Sequence, residues 1–360
     1  MKGDRERRVH IEVCECGELD RRQFLRSIGV TAAAVGAAAL PLGRVIAAPA
    51  AAVVPAAAVD EAAKKPAETF VKLLFDSLTA EQRKVMHFPF DHEKRSYIAN
   101  NWHIVDQETA SIGKLYTPDQ QELIRQVLRG VTSEEGYEKF QKSMQDDDGG
   151  LGNYTCAIFG EPGAEKFEFV LAGRHLTLRA DGDSVENAAF GGPIFYGHAV
   201  KGTEEPDHPG NVWWHQARLA NKVFGALDGK QREKALGDNA PADDAESIRF
   251  KEKGSELPGI ALAELSADQK ELFRATVKSL LSMYRESDVE EAIRCLEKNG
   301  GFDALRMSFY KEGDTGNDGI WDRWMVQGPA FAWYFRGSPH VHTWVNIGHR
   351  PPSAPRRATI

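Results

Sequence analysis

Two separate stretches of this chain recur further on at one common spacing, and that limits the folds open to it. Phe75, Leu78, Gln82 and Arg83 have counterparts in Phe224, Leu227, Gln231 and Arg232, 149 residues later. Thr117, Asp119, Gln120 and Leu123 have theirs in Ser266, Asp268, Gln269 and Leu272, again 149 residues later. Two motifs in one register predict a duplicated unit, with a first half at 67–200 and a second at 211–350. The motifs have a physical role. Thr79, Thr117 and Ser266 each precede a helical pattern, with Gln three residues on, the arrangement in which hydroxyl and amide close the first turn reciprocally. Pro118 stands at a first helical position, where its missing donor costs nothing.

Each half then turns to short β-prone runs. In the first these are Tyr154–Phe159, Phe167–Leu171 and His175–Arg179, with Gly182-Asp183 as a hairpin signal. In the second they are Leu305–Tyr310, Trp321–Val326, Ala330–Phe335 and His340–Ile347. Further helices are expected over Ser133–Met144 and Asp288–Lys298. The predicted class is α+β: helices followed by an antiparallel sheet in each half, the sheets facing or joined, packed as one pseudo-twofold body. Residues 201–212 link the halves.

Residues 1–50 read as an export signal. Arg21-Arg22 followed by Phe24 and Leu25 resembles the twin-arginine (Tat) consensus. The weakly apolar run Ile28–Leu40 ends at Pro41 and Arg44, short of the roughly 20 residues a spanning helix needs. Ala48-Pro49-Ala50 offers a small-x-small cleavage site. Residues 51–66 are an Ala/Pro-rich linker. The expected partner is the Tat translocation machinery and the expected location periplasmic or secreted. Because that route carries folded proteins, a cofactor loaded before export is expected more often than usual. The net charge is −8, and the acidic body behind the signal has no Lys/Arg-rich run, which argues against general nucleic-acid binding. Cys156 and Cys295, the cysteines behind the signal, read as buried apolar side chains in preference to one disulfide.

Several segments beyond residue 68 resemble the DUF3500 family. They are the helix start at Leu78–Arg83, Phe88–Arg95 with Trp102, the Tyr154–Gly160 run and Gly173-Arg174-His175-Leu176. Pro193–Gly197, Gly259–Gln269 and His340-Val341-His342 complete the set. The resemblance spans roughly 68–350 and implies a shared fold and pattern without implying a reaction. This chain departs from the family twice. Arg174 replaces the first member of a common His-His pair, and Val345-Asn346 replaces a common Arg-Asp pair.

The sharpest local signal is His340-Val341-His342. Strand side chains alternate, so both imidazoles share one face, with Trp344 beside them. His175 falls in the corresponding sheet of the first half. His198, after a Phe-Tyr-Gly turn, is the fourth candidate. Three or four neutral imidazoles suit Zn, Cu or Fe(II). The competing reading is two surface histidines plus one satisfied core histidine. A second constellation runs from His87 to Arg95 and on to Trp102. Arg95 could clamp a ligand there and Trp102 stack on it, against the competing view that Asp91 and Arg95 form a structural ion pair. Asp146-Asp147-Asp148 lacks the alternating spacing of a calcium loop. No G-x-S-x-G elbow, phosphate-binding glycine loop or H-E-x-x-H helix is present.

Two readings follow. One is an exported transition-metal-dependent enzyme, hydrolase or oxidoreductase, with metal ligands among His175, His198, His340 and His342 and with Arg95, Trp102 and Trp344 meeting the substrate. The other is a non-catalytic exported module that binds a small molecule, glycan or metal.

Overall fold

The computed structural model describes residues 66–348, except 165, 183, 200–210, 252–254 and 316–317. The export signal and most of the linker lie outside the described residues, as does most of the 201–212 connection. The elements are α1 (Ala67–Ser77), α2 (Ala80–Met86), β1 (His87–Phe88), α3 (Gln107–Ala110), α4 (Ile112–Leu115), α5 (Pro118–Val131) and α6 (Glu134–Asp148). Then come β2 (Thr155–Gly160), β3 (Phe167–Gly173), β4 (Leu176–Ala180), β5 (Ile194–His198), α7 (Trp214–Ala226), α8 (Gly229–Ala235), β6 (Leu236–Gly237) and β7 (Ile260–Ala261). The chain closes with α9 (Ala267–Leu281), α10 (Glu286–Lys298), β8 (Arg306–Tyr310), β9 (Arg323–Gly328), β10 (Phe331–Arg336) and β11 (Val341–Ile347). The class is α+β, as expected. No helix among the described residues is long and apolar enough to cross a membrane.

Helix starts follow the capping chemistry. Full capping boxes close α2 (Thr79/Gln82), α5 (Thr117/Gln120), α8 (Asp228/Gln231) and α9 (Ser266/Gln269). The glutamines do more than cap. Gln82 Nε2 donates to Leu115 O (2.8 Å) and to Gln120 Oε1 (2.8 Å), and Gln120 Nε2 donates to Ser77 O (3.0 Å). At the same 149-residue spacing, Gln231 Nε2 donates to Glu264 O (3.4 Å), Gln269 Nε2 to Gln231 Oε1 (2.8 Å) and also to Ala226 O (2.7 Å). Each pair of amides, buried except for the half-buried Gln231, ties two successive helix starts together.

The strands form one eleven-stranded sheet in the order β1-β2-β3-β4-β5-β11-β10-β9-β8-β6, with β7 also on β8. It is antiparallel except at the outer pairs β1/β2 and β6/β8. The two strand sets are therefore joined edge to edge through β5 and β11, in register Val341↔His198 to Val345↔Ile194. β5 corrects the expectation of a turn at Phe195-Tyr196-Gly197. Gly197 is the reason: an isolated glycine reads as a turn, yet here it marks a close approach within a strand. A Cβ on it would collide with Val341 O and lie 3.3 Å from His175 Cβ. The tight turn sits instead at Arg174-His175, because Gly173 pairs with Leu176 across β3 and β4. His175 there has φ 55, so it belongs to the turn and not to the strand expected from 175 onward.

Alternation gives the sheet two faces. Tyr196, Trp324, Trp333 and Phe335 face the helices and join the large core with Phe140, Trp213, Phe273 and Val277. Phe195, Met325, Tyr334 and Trp344 face the other way and are covered by loops carrying Ile98 and Ile248. The two helical layers meet where Ser133 N donates to Met283 O (3.1 Å) and Arg285 N to Val131 O (3.3 Å). Cys156 and Cys295 are buried free thiols, and burial pushes Cys156 up to about 12.

Candidate metal centre

Three imidazoles meet where the strand sets join. β11 projects His342 from the loop-covered face, and His340 precedes the strand by one residue, so the two rings lie on one side. Their Nε2 atoms are 2.9 Å apart. The left-handed backbone at His175 swings its ring over Gly197, and His175 Nε2 lies 3.2 Å from His342 Nε2. Donor atoms of the three lie within 4.8 Å of one another. His175 and His342 are buried and His340 is half-buried.

Carboxylates behind the rings fix how the imidazoles point. His175 Nδ1 is 2.9 Å from Asp147 Oδ2, and His342 Nδ1 is 2.8 Å from Asp243 Oδ2. Asp147 also accepts from Ala199 N (2.7 Å). Asp243 Oδ1 accepts from Trp344 Nε1 (2.9 Å), and Arg336 Nη1 pairs with Asp243 at 2.5 Å. With each carboxylate accepting from an Nδ1–H, the Nε2 lone pairs of His175 and His342 are left aimed at each other. Two lone pairs at this distance repel each other unless a proton or a metal ion lies between them. A carboxylate behind each imidazole is also the usual support of a metal-bound histidine.

Burial pushes His340 down to about 3, with the nearby His342, His175, Arg336 and Arg174 adding to the effect. Burial likewise pushes His342 down to about 4, against the hydrogen bond to Asp243. For Asp243 burial acts upward, but the bond from His342 and the Arg336 charge hold it at about 2. At neutral pH His340 and His342 are thus neutral and Asp243 ionised, the protonation states a ligand set requires.

Tetrahedral zinc bound at 2.0–2.1 Å to nitrogen has donors about 3.3 Å apart. The observed 2.9 and 3.2 Å come close to that spacing. The donor set, three imidazole nitrogens with carboxylates behind two of them, fits a single transition-metal ion.

His198 is not brought to this cluster. Strand alternation turns it to the opposite face from Gly197, where its Nε2 is 3.0 Å from Asp146 Oδ2 and its Nδ1 accepts from Val212 N (3.3 Å). Arg95 is held by Glu168 (2.8 Å) and by Phe90 O (2.8 Å), lying over the Phe90 ring. The ion pair it forms is with Glu168, not with Asp91. Trp102 donates to Thr177 Oγ1 (2.9 Å) and meets Tyr97 edge-on. Trp344 shares the His342 face, 1% exposed and packed on Phe195 at 4.4 Å, so it braces Asp243 from within the core. Sequence reasoning missed Asp147 and Asp243. The acidic triplet at 146–148 was visible, but it reads as a failed calcium loop unless the end of α6 is known to reach the sheet.

Among curated proteins and among solved structures, nothing matches this chain. The profile of the family described as "Protein of unknown function (DUF3500)" matches residues 60–347, well over half of the sequence, and the chain belongs to that family.

Proposed function

We propose that this protein is an exported enzyme working through one transition-metal ion held by His175, His340 and His342. The observation that carries this reading is the 3.2 Å approach of His175 Nε2 to His342 Nε2 with both Nδ1 atoms engaged by aspartates. Neutral imidazoles favour Zn, Cu or Fe(II). Such an ion would supply Lewis acidity towards a substrate oxygen or a bound water. Asp147 and Asp243 hold the rings in the donor tautomer, and Arg336 keeps Asp243 charged and in place. Export rests on Arg21-Arg22 and the Ala-rich run behind them.

The same reading takes the body as a duplicated unit about a pseudo-twofold between β5 and β11. Its support is the recurrence of the Gln82/Gln120 contacts at Gln231/Gln269 and the palindromic strand order. The site then draws His175 and Asp147 from the first half and His340, His342 and Asp243 from the second.

Metal analysis of protein purified from its native host tests the reading. About one equivalent of Zn, Cu or Fe is expected, and less than a tenth of that in the His340→Ala/His342→Ala double variant. Metal-free wild-type protein whose melting temperature ignores added metal and chelator would sink the proposal. A redox-active metal would point to oxidase chemistry, zinc to hydrolysis. Replacing Arg21-Arg22 by Lys-Lys should abolish export.

A further inference from the structure

Two arginines stand beside the imidazole cluster, and they differ. Arg336 is engaged: Nη1 binds Asp243 and Nη2 donates to His340 O (3.3 Å). Arg174, the neighbour of His175 in the tight turn, is not. Its backbone is fixed, with its carbonyl accepting from Tyr154 OH (2.6 Å) and a bridge to Asn101. Among the described residues its guanidinium has no hydrogen-bond or ion-pair partner, and its Nε is shielded from water without one. Arg174 is half-buried and immediately precedes His175 in the turn between β3 and β4, so it stands at the edge of the cluster.

An unpaired, partly desolvated guanidinium is costly. Beside a site for a cation it also weakens the binding of that cation. Both costs fall away when an anion bridges the two positive centres. A guanidinium presents a rigid fork that matches a carboxylate in two parallel hydrogen bonds. Asp147 and Asp148 stand close by, which disfavours a doubly charged phosphate more than a singly charged carboxylate. We propose that Arg174 anchors the carboxylate of a small organic acid, whose adjoining functional group is thereby presented in front of His175, His340 and His342. The inference names the substrate class of the proposed metal site and rests on that reading.

The test uses the full chain loaded with Co(II), whose visible spectrum reports a ligand entering the coordination sphere or its edge. Benzoate, inorganic phosphate and imidazole are titrated into wild type, Arg174→Gln and Arg174→Lys. Charge-assisted hydrogen bonds of this kind contribute about 1.5–3 kcal/mol, so benzoate affinity should fall roughly ten- to a hundredfold in Arg174→Gln. Imidazole, which is neutral, should bind both forms equally, and Arg174→Lys should recover part of the benzoate affinity. Cobalt stoichiometry near one in both variants shows that the cluster is intact. Equal benzoate affinities in wild type and Arg174→Gln at full cobalt occupancy overturn this proposal alone, as does phosphate binding more tightly than benzoate to wild type. A wild-type chain that takes up no cobalt overturns the metal reading and this inference with it.

Discussion

Asp243 Oδ2 lies 2.8 Å from His342 Nδ1, although 99 residues separate the two in sequence. Removing the charge while keeping the shape should loosen the metal without unfolding the chain. Carboxylates in this position are commonly responsible for about a 10- to 100-fold effect on metal affinity. The expected outcome for Asp243→Asn is a loss in that range, read by competition with a chromophoric chelator, with an unchanged far-UV circular dichroism spectrum. Undiminished affinity would remove Asp243 from the site.

Gly197 lets the His175 ring sit against β5. A Cβ there collides with the Val341 carbonyl oxygen, which belongs to the backbone and cannot swing aside. Gly197→Ala should therefore disturb the β5/β11 ladder and the cluster together. A loss above about 2 kcal/mol in urea unfolding is expected, the size associated with backbone clashes in a packed interior. A thermal melt within 1 °C of wild type would contradict the close approach.

Glu168 is fully buried on β3 between two guanidinium groups, Arg95 at 2.8 Å and Arg179 at 2.6 Å. Arg179 continues to Pro193 O (2.7 Å) and to Tyr97 O (3.1 Å), tying the loop over the sheet to β4. Glu168→Ala would leave two charges without their shared counter-ion, at a cost of about 3–5 kcal/mol. Chemical denaturation measures it. Arg179→Met in the same background should recover part of the loss, since one of the stranded charges is then gone.

Asp322 supplies a pH signature. Burial pushes it up to about 6; Thr315 N–H and Oγ1 oppose this through hydrogen bonds, and Asp314 and Asp318 add to it. An unfolded Asp titrates near 3.9. The native state therefore holds this proton more tightly, and the group favours folding least once it is ionised. Its contribution should fall as pH rises from about 4 to above 6 and then level off. The stability difference between wild type and Asp322→Asn, followed across that window, should shift against wild type. A flat difference would show that Asp322 is not held neutral.

Much of the fold was legible because its signals are local. Capping boxes at Thr79, Thr117 and Ser266 mark helix starts irrespective of context. Runs rich in aromatic and β-branched residues mark β2, β3, β8, β9 and β10. What escaped was set by contacts distant in sequence. Phe195-Tyr196-Gly197 reads as a turn until the space taken by His175 is known. The register that seats β5 on β11 comes from pairing, not from either strand alone. In the site, His340 and His342 were legible through strand alternation, and His175 through its place in the other strand set. Asp147 and Asp243 were not, because nothing local distinguishes a helix-end or loop aspartate from a solvated one.

The His175–His342 contact spans 167 residues and bridges the seam between β5 and β11. An ion held there would act as a reversible cross-link, removing freedom from the unfolded chain much as a disulfide closing so long a loop would, by about 5 kcal/mol in the chain-entropy view. Neither partner strand set carries a complete donor set. Cut within 201–210, the chain would yield two fragments that still pair through β5 and β11, and an ion drawing ligands from both would tighten their reunion, coupling loading to assembly.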